Sequence, residues 1–81
     1  MASEHKQGIL RAILKSSNRW VAISWRGRHW RVRFDLFGAA LTVDGGRFAW
    51  AYEHGRAWRA MADRLSIVTG LSVRIWPLRD H

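Results

Sequence analysis

The chain has 81 residues, with fourteen lysines and arginines against six acidic residues for a formal net charge of +8, and it has no cysteine. This length predicts a single domain over residues 1–81, with 1–3 and 78–81 as frayed ends. The missing cysteines exclude a disulfide framework and thiolate zinc sites, and six tryptophans argue against a disordered chain. Without a signal-peptide core or an apolar run long enough to span a bilayer, we expect a cytoplasmic protein that does not bind membranes.

The basic charge is carried almost entirely by arginine, which accounts for twelve of the fourteen basic residues. The planar guanidinium matches phosphate and carboxylate groups bidentately, although codon usage in a GC-rich genome also favours arginine over lysine. Codon usage does not explain the net charge. A pI near 11.7 therefore predicts a polyanionic partner, either nucleic acid or an acidic protein surface.

The first predicted element is a helix over residues 4–16, ended by the turn-forming residues 16–18. Its apolar positions recur at the helical period and comprise Ile9, Leu10, Ile13 and Leu14.

Residues 19–35 predict a β-hairpin with Arg26-Gly27 as a two-residue turn. Cross-strand partners share a face of the sheet, so this turn sorts the hairpin into two faces. The inner face collects Val21, Ile23, Trp25, Trp30, Val32 and Phe34, and the outer face collects Trp20, Ala22, Ser24, His29, Arg31 and Arg33. A three-residue turn would mix apolar and charged residues on both faces, because a shift of one residue turns every side chain over.

A second hairpin is predicted over residues 40–52, since Asp44-Gly45-Gly46 is a strong turn signal. The residues that should point inward share one parity: Leu41, Val43, Phe48, Trp50 and Tyr52. A single helix over 48–65 is the alternative, and Gly55 and the turn residues argue against it.

A second helix is predicted over 56–69, with Gly70 at its C-terminal cap and an apolar stripe of Trp58, Met61, Ala62 and Leu65. Residues 71–76 alternate as a last strand, which Pro77 ends or marks as a sheet edge. The predicted fold is α+β with element order α-β-β-β-β-α-β. Its antiparallel sheet has about five strands, made of two hairpins and a C-terminal strand, and both helices pack on one face.

The outer face of the first hairpin is the main candidate for a binding surface. Alternate residues of a strand lie roughly 6.5–7 Å apart on one face, so cations there can contact phosphates, and an exposed tryptophan can stack a base. The plainer interpretation is a solvated face on which Trp20 packs beneath its arginine neighbours. The predicted binding residues for nucleic acid or an acidic partner are Trp20, Arg26, Arg28, His29, Arg31, Arg33, Arg56 and Arg59.

The six tryptophans divide between the core and the surface. We expect Trp25, Trp30, Trp50 and Trp58 in the core. Trp20 and Trp76 fall on the other side or at an edge, where an exposed pair would form an apolar patch suited to a protein partner.

His29 is a candidate acid–base group for RNA cleavage, because neighbouring arginines can stabilise a developing phosphorane. The first helix, the first hairpin and the Gly27-x-His29 spacing at its turn resemble small ribonuclease toxins of the HicA type, whose fold is similar to double-stranded-RNA-binding domains. Arg28 and Trp30 stand where those toxins have a serine and a second histidine. The resemblance implies a ribonuclease toxin with His29 as its catalytic residue and a cognate antitoxin.

Other chemistry has little support in the sequence. The histidines and carboxylates show no metal-ligand spacing, and Asp44-Gly45-Gly46-Arg47 lacks the lysine of a phosphate-binding loop. We expect no metal, no cofactor and no small-molecule substrate.

The sequence thus favours a small non-enzymatic binding protein that engages nucleic acid or a nucleic-acid-handling protein complex. Such basic domains are common among phage and mobile-element accessory proteins. Inhibitors of the anti-CRISPR kind, which block a host complex, are one candidate. The oligomeric state stays open.

Overall fold

The computed structural model describes residues 2–45 and 50–77, without the side chains of 2–5 and 77. Within these residues, two helices and four strands follow one another along the chain. Helix α1 spans Ala2–Lys15, strand β1 Trp20–Trp25, strand β2 Arg28–Asp35, strand β3 Ala40–Asp44, helix α2 Tyr52–Thr69 and strand β4 Arg74–Pro77. Of the predicted frayed ends, residues 2–3 belong to α1, whereas 1 and 78–81 lie outside the described residues.

The four strands form one mixed sheet in the order β1-β2-β3-β4. The pairs β1/β2 and β2/β3 are antiparallel, and β4 pairs with β3 in parallel. The α+β class is confirmed, but the prediction of an antiparallel sheet of about five strands is wrong. Helix α2 connects β3 to β4, and a helical crossover of this kind brings a strand back parallel to the one before it.

The first hairpin has the predicted register, with Ile23 opposite Trp30 and Trp25 opposite Arg28. Its turn residues Arg26 and Gly27 have φ angles of 52° and 77°. Two successive positive φ angles are the signature of the type I′ turn, whose twist matches that of the flanking strands. The separation into an apolar and a polar face is therefore confirmed.

The second predicted hairpin does not form as expected. Tyr52 starts α2 instead of lying on a strand, and both Trp50 and Tyr52 are exposed instead of pointing inward. Phe48 lies outside the described residues. The reason is the environment of Gly55, which is buried against the backbone of Trp50 and donates its N–H to the Ala51 carbonyl over 2.7 Å. Burial in the first turn of a helix offsets the low helix propensity of this glycine.

Both helices pack on the inner face of the sheet, as predicted. The stripes of α1 and α2 meet the inward residues of the strands in one cluster: Ile9, Ile13, Ile23, Trp25, Trp30, Val32, Phe34, Leu41, Val43, Trp58, Met61 and Leu65. Helix α2 ends at Gly70, whose left-handed backbone donates its N–H to Ser66. No helix among residues 2–45 and 50–77 is long and apolar enough to cross a membrane.

Three of the tryptophans expected in the core form its centre. The rings of Trp25 and Trp30 lie edge-to-face against Trp58, with centroid distances of 5.1 and 5.5 Å. The indole N–H of Trp30 donates to the Trp25 carbonyl over 2.9 Å. These contacts hold the first hairpin rigidly against α2, so the opposite side of the same hairpin is a well-supported surface.

Candidate nucleic-acid interface

The side of the sheet that faces away from both helices is called here the outer sheet face. Strand register and alternation place on it Trp20, Ala22, Ser24, His29, Arg31, Arg33, Asp35, Ala40, Thr42, Asp44, Arg74 and Trp76. Three arginines and two tryptophans thus share one surface with two aspartates. Every strand contributes to this surface, although the sequence alone predicted it from the first hairpin only.

One row of this face runs across all four strands. Trp20 pairs with Arg33, Arg33 with Thr42, and Thr42 with Trp76. Neighbouring strands are about 4.8 Å apart, so the backbones of the two tryptophans are separated by about 14 Å. Trp20 is 37% exposed and Trp76 59% exposed. An arginine and a threonine therefore lie between two accessible indole rings.

Trp20 is packed against two arginines. The guanidinium carbons of Arg31 and Arg33 lie 5.0 and 5.1 Å from its ring centroid. Cation–π contacts at exposed sites contribute about 0.5–1 kcal/mol each. The contact predicted as the plainer interpretation is thus present, and it holds both cations in place on the outer sheet face.

The aspartates of the outer sheet face only partly offset its positive charge. Arg31 approaches Asp44 at 3.8 Å, while its own side chain stays 61% exposed. An ion pair this long and this exposed adds little stability. The carboxylate of Asp35 accepts the backbone N–H groups of Phe37 and Gly38 over 3.1 and 3.4 Å. Asp35 therefore serves the turn after β2, and among the described residues neither Arg31 nor Arg33 forms a buried ion pair.

His29 lies on the outer sheet face two residues before Arg31. Its Nδ1 is 2.9 Å from the hydroxyl of Ser24 on the neighbouring strand. This hydrogen bond orients the imidazole on the same face of the sheet as Arg31 and Arg33.

The other predicted binding residues lie elsewhere. Arg26, at the tip of the first hairpin, lines a cleft with Tyr52, Glu53, Arg56 and Ala57, which we call the tip cleft. There Arg56 donates a long 3.5 Å hydrogen bond to the Tyr52 hydroxyl.

Two further arginines among the predicted binding residues lie neither on the outer sheet face nor among the residues of the tip cleft. Arg28 is on the inner side of the hairpin, with its guanidinium carbon 5.9 Å from the Trp30 centroid. Arg59 is exposed on α2. Arg28 also lines a cleft at the hairpin turn together with Arg26 and His29, so the turn connects the tip cleft with the outer sheet face.

Three residues of this region were not among the predicted binding residues. Arg74 and Trp76 reach the outer sheet face through β4, and Phe37 sits in the turn between β2 and β3 with 97% of its surface exposed. Phe37 lines a shallow cleft with Asn18, Arg33 and Asp35. The sequence feature that could have identified Phe37 is the apolar pair Leu36-Phe37. This pair directly follows β2, whose inward positions are already occupied by other apolar residues.

The described elements define a small α+β domain with helices on one side of its sheet and a cationic, aromatic surface on the other. Within the described ranges, no three His, Cys, Asp or Glu side chains are grouped to hold a metal ion. Comparison of the chain with protein-family models, with curated proteins and with solved structures gives no match. The chemistry of the outer sheet face is therefore the basis for a functional proposal.

Proposed function

We propose that this protein is a non-enzymatic binding protein that engages nucleic acid through its outer sheet face. The observation that supports this most directly is the packing of Arg31 and Arg33 on the exposed ring of Trp20. Phosphates bind arginines by charge-assisted, often bidentate hydrogen bonds, and release of counterions from the nucleic acid adds to the affinity. The net charge of +8 attracts such a partner from a distance.

The contact with Trp20 also lowers the entropic cost of binding. A free arginine side chain loses up to about 2 kcal/mol of rotamer entropy when it is fixed. Arg31 and Arg33 are already restrained by the ring before any ligand arrives, so less freedom is lost on association. The exposed indole edge and the guanidinium planes together offer flat surfaces for bases.

Titration of fluorescently labelled oligonucleotides tests the proposal. Anisotropy is measured for single-stranded and duplex DNA and RNA of equal length between about 50 and 200 mM salt. We expect binding that weakens as salt rises, and a loss of affinity in the double variant Arg31→Ala/Arg33→Ala. The matched control is Arg11→Ala/Arg64→Ala, which removes the same charge from exposed positions on the two helices. Failure to bind any of the four nucleic acids would overturn the proposal.

An acidic surface on a nucleic-acid-handling complex is the other occupant that this chemistry suits, as in an inhibitor of a host complex. A pull-down from host cells with and without nuclease separates the two occupants. Capture of nucleic acid that disappears with nuclease treatment supports the proposal. Nuclease-resistant capture of one defined complex, without oligonucleotide binding, contradicts it in favour of the inhibitor.

A ribonuclease is the second candidate function, and one observation favours it. The hydrogen bond between Ser24 and His29 orients an imidazole on the same face of the sheet as Arg31. Helix α1, strand β1, the Gly27-x-His29 turn and strand β2 also follow one another in the order that the HicA-type resemblance implies. Cleavage of RNA that is lost in His29→Ala is the test of this candidate.

A further inference from the structure

We propose that the nucleic acid bound by this protein is single-stranded and crosses the sheet from β1 to β4, with unpaired bases stacked on Phe37 and Trp76 and phosphates bound by the arginines that pack on Trp20. This inference rests on the proposed function and specifies its ligand. The reason is the combination of accessible aromatic rings and arginines on one surface, since a duplex exposes phosphates but keeps the faces of its bases stacked inside.

Trp76 is the first exposed ring to which phosphate binding alone assigns no role. It projects from the edge strand β4 with 59% of its surface exposed, and Arg74 lies two residues earlier on the same face. An indole beside a cation is the pairing with which single-strand-binding proteins hold a base and its phosphate. The row that joins Trp76 to Trp20 contains Arg33 at its centre. A strand laid along this row meets ring, cation and ring in turn.

Phe37 is the second unexplained ring, and its turn is anchored. The Asp35 carboxylate accepts the N–H of Phe37, and the side-chain carbonyl of Asn18 accepts the N–H of Leu36 over 3.0 Å. The backbone of the turn is thus anchored, and it presents an almost fully exposed phenyl ring. Because this ring shares a cleft with Arg33, a base stacked on Phe37 places its phosphate within reach of the same guanidinium.

The alternative to binding at the outer sheet face is binding of the nucleic acid at the tip cleft. Arg26 and Arg56 lie there together with one aromatic ring, Tyr52. A duplex bound through phosphates at this cleft would leave the outer sheet face unused. The two arrangements therefore make opposite predictions for strand preference and for which substitutions matter.

The experiment compares three ligands of equal length: a single strand, the corresponding duplex and a single strand whose central positions are abasic. We expect the wild-type protein to bind the intact single strand more tightly than either of the others. Trp76→Ala and Phe37→Ala should each weaken binding of the intact strand about five- to 150-fold, the range for loss of one stacked base. Trp76→Phe should retain most of the affinity, since it keeps an aromatic ring.

Two controls make the result specific. Tyr52→Ala removes an exposed aromatic ring from the tip cleft and should leave single-strand affinity unchanged. The abasic strand should be insensitive to Trp76→Ala, because it has no base to stack at the centre. Circular dichroism spectra of all variants establish that the fold is retained, which the exposure of Trp76 and Phe37 leads us to expect.

The outcomes separate this inference from the proposed function. If the duplex binds as tightly as the single strand, and affinity depends on Arg26 and Arg56 but not on Trp76 or Phe37, the single-strand arrangement is overturned while nucleic-acid binding stands. If no nucleic acid binds at all, both are overturned. A single-strand preference that is lost on removal of either ring supports the inference.

Discussion

The guanidinium carbon of Arg33 lies 5.1 Å above the ring of Trp20, its direct partner across the β1/β2 pair. Arg31, two residues away on the same strand, approaches that ring at 5.0 Å. A single partly exposed indole thus contacts two cations of the neighbouring strand. The outer sheet face is for this reason a partly ordered surface before any partner binds.

Replacement of Trp20 with alanine tests that relationship. Trp20→Ala removes the ring on which Arg31 and Arg33 pack, so we expect nucleic-acid affinity to fall by about 0.5–1.5 kcal/mol for each arginine that must then be ordered on binding. Stability should change much less, because the ring is partly exposed and belongs to no core cluster. Anisotropy titrations and urea unfolding provide the two measurements. Trp20→Phe is the conservative control, and an affinity equal to wild type in Trp20→Ala would show that the ring has no role in binding.

The salt dependence of binding reports how many phosphates the arginines neutralise. For a single strand, log affinity falls with log salt by about 0.7 for each phosphate contact. The double variant Arg31→Ala/Arg33→Ala should therefore flatten the slope by about 1.4 if each arginine contacts one phosphate. Titrations of wild type and variant over the same salt series measure this difference. An unchanged slope would place the phosphate contacts on another surface of the protein.

His29 separates the binding hypothesis from the enzymatic one. For a binding protein, His29→Ala should alter affinity by less than Arg31→Ala does, and purified wild-type protein should leave labelled RNA intact over long incubation. Gel analysis of single- and double-stranded RNA is sufficient as the measurement. Cleavage by wild type that disappears in His29→Ala, with an unchanged circular dichroism spectrum, would identify the protein as a ribonuclease.

The centre of the core should be far more sensitive than its periphery. Trp58 is fully buried and contacts the rings of Trp25 and Trp30, so Trp58→Ala should lower the free energy of unfolding by about 3–5 kcal/mol. The exposed Trp50 provides the matched substitution, and Trp50→Ala should have a clearly smaller effect. Urea unfolding followed by far-ultraviolet circular dichroism avoids the loss of the fluorescence signal. Equal destabilisation by both substitutions would contradict the described core.

Replacement of two different glycines by alanine should change the stability of the protein in opposite directions. A β-carbon at Gly45 would collide with the Trp30 ring, which is held in the core, and overpacking of this kind destabilises a protein by about 1–3 kcal/mol. A β-carbon at Gly8 meets no atom within 4 Å. Because glycine within a helix is destabilising, Gly8→Ala should raise stability by about 0.5–1 kcal/mol. Thermal unfolding of the two variants checks both signs, and a stabilised Gly45→Ala would refute the close contact with Trp30.

The first hairpin was predictable because two independent constraints agree on it. The two-residue turn and the separation of faces select the same register, so Trp20, Arg31 and Arg33 were correctly assigned to one surface. The stripes of both helices and the cap at Gly70 follow likewise from local periodicity.

The region after β3 was not predictable from local signals. The alternation in residues 48–52 indicates a strand, yet Tyr52 starts α2 and Gly55 is buried in the first turn of that helix against the backbone of Trp50. Alternation in residues 71–76 indicates a strand but carries no information on its direction or its neighbour. Trp76 was expected on the other side or at an edge, but its row with Arg33 and Trp20 follows from the strand pairing. The proximity of Arg26 to Arg56 likewise depends on packing between distant segments.

The parallel pairing of β3 and β4 also has a consequence for the order of folding. The first three strands are joined by short turns and can assemble locally, whereas β4 pairs only after the whole of α2 has formed and packed. Contacts between distant segments form late because the intervening chain must first be closed into a loop. Nascent chains would acquire the half of the surface that contains Trp20 before the half that contains Trp76.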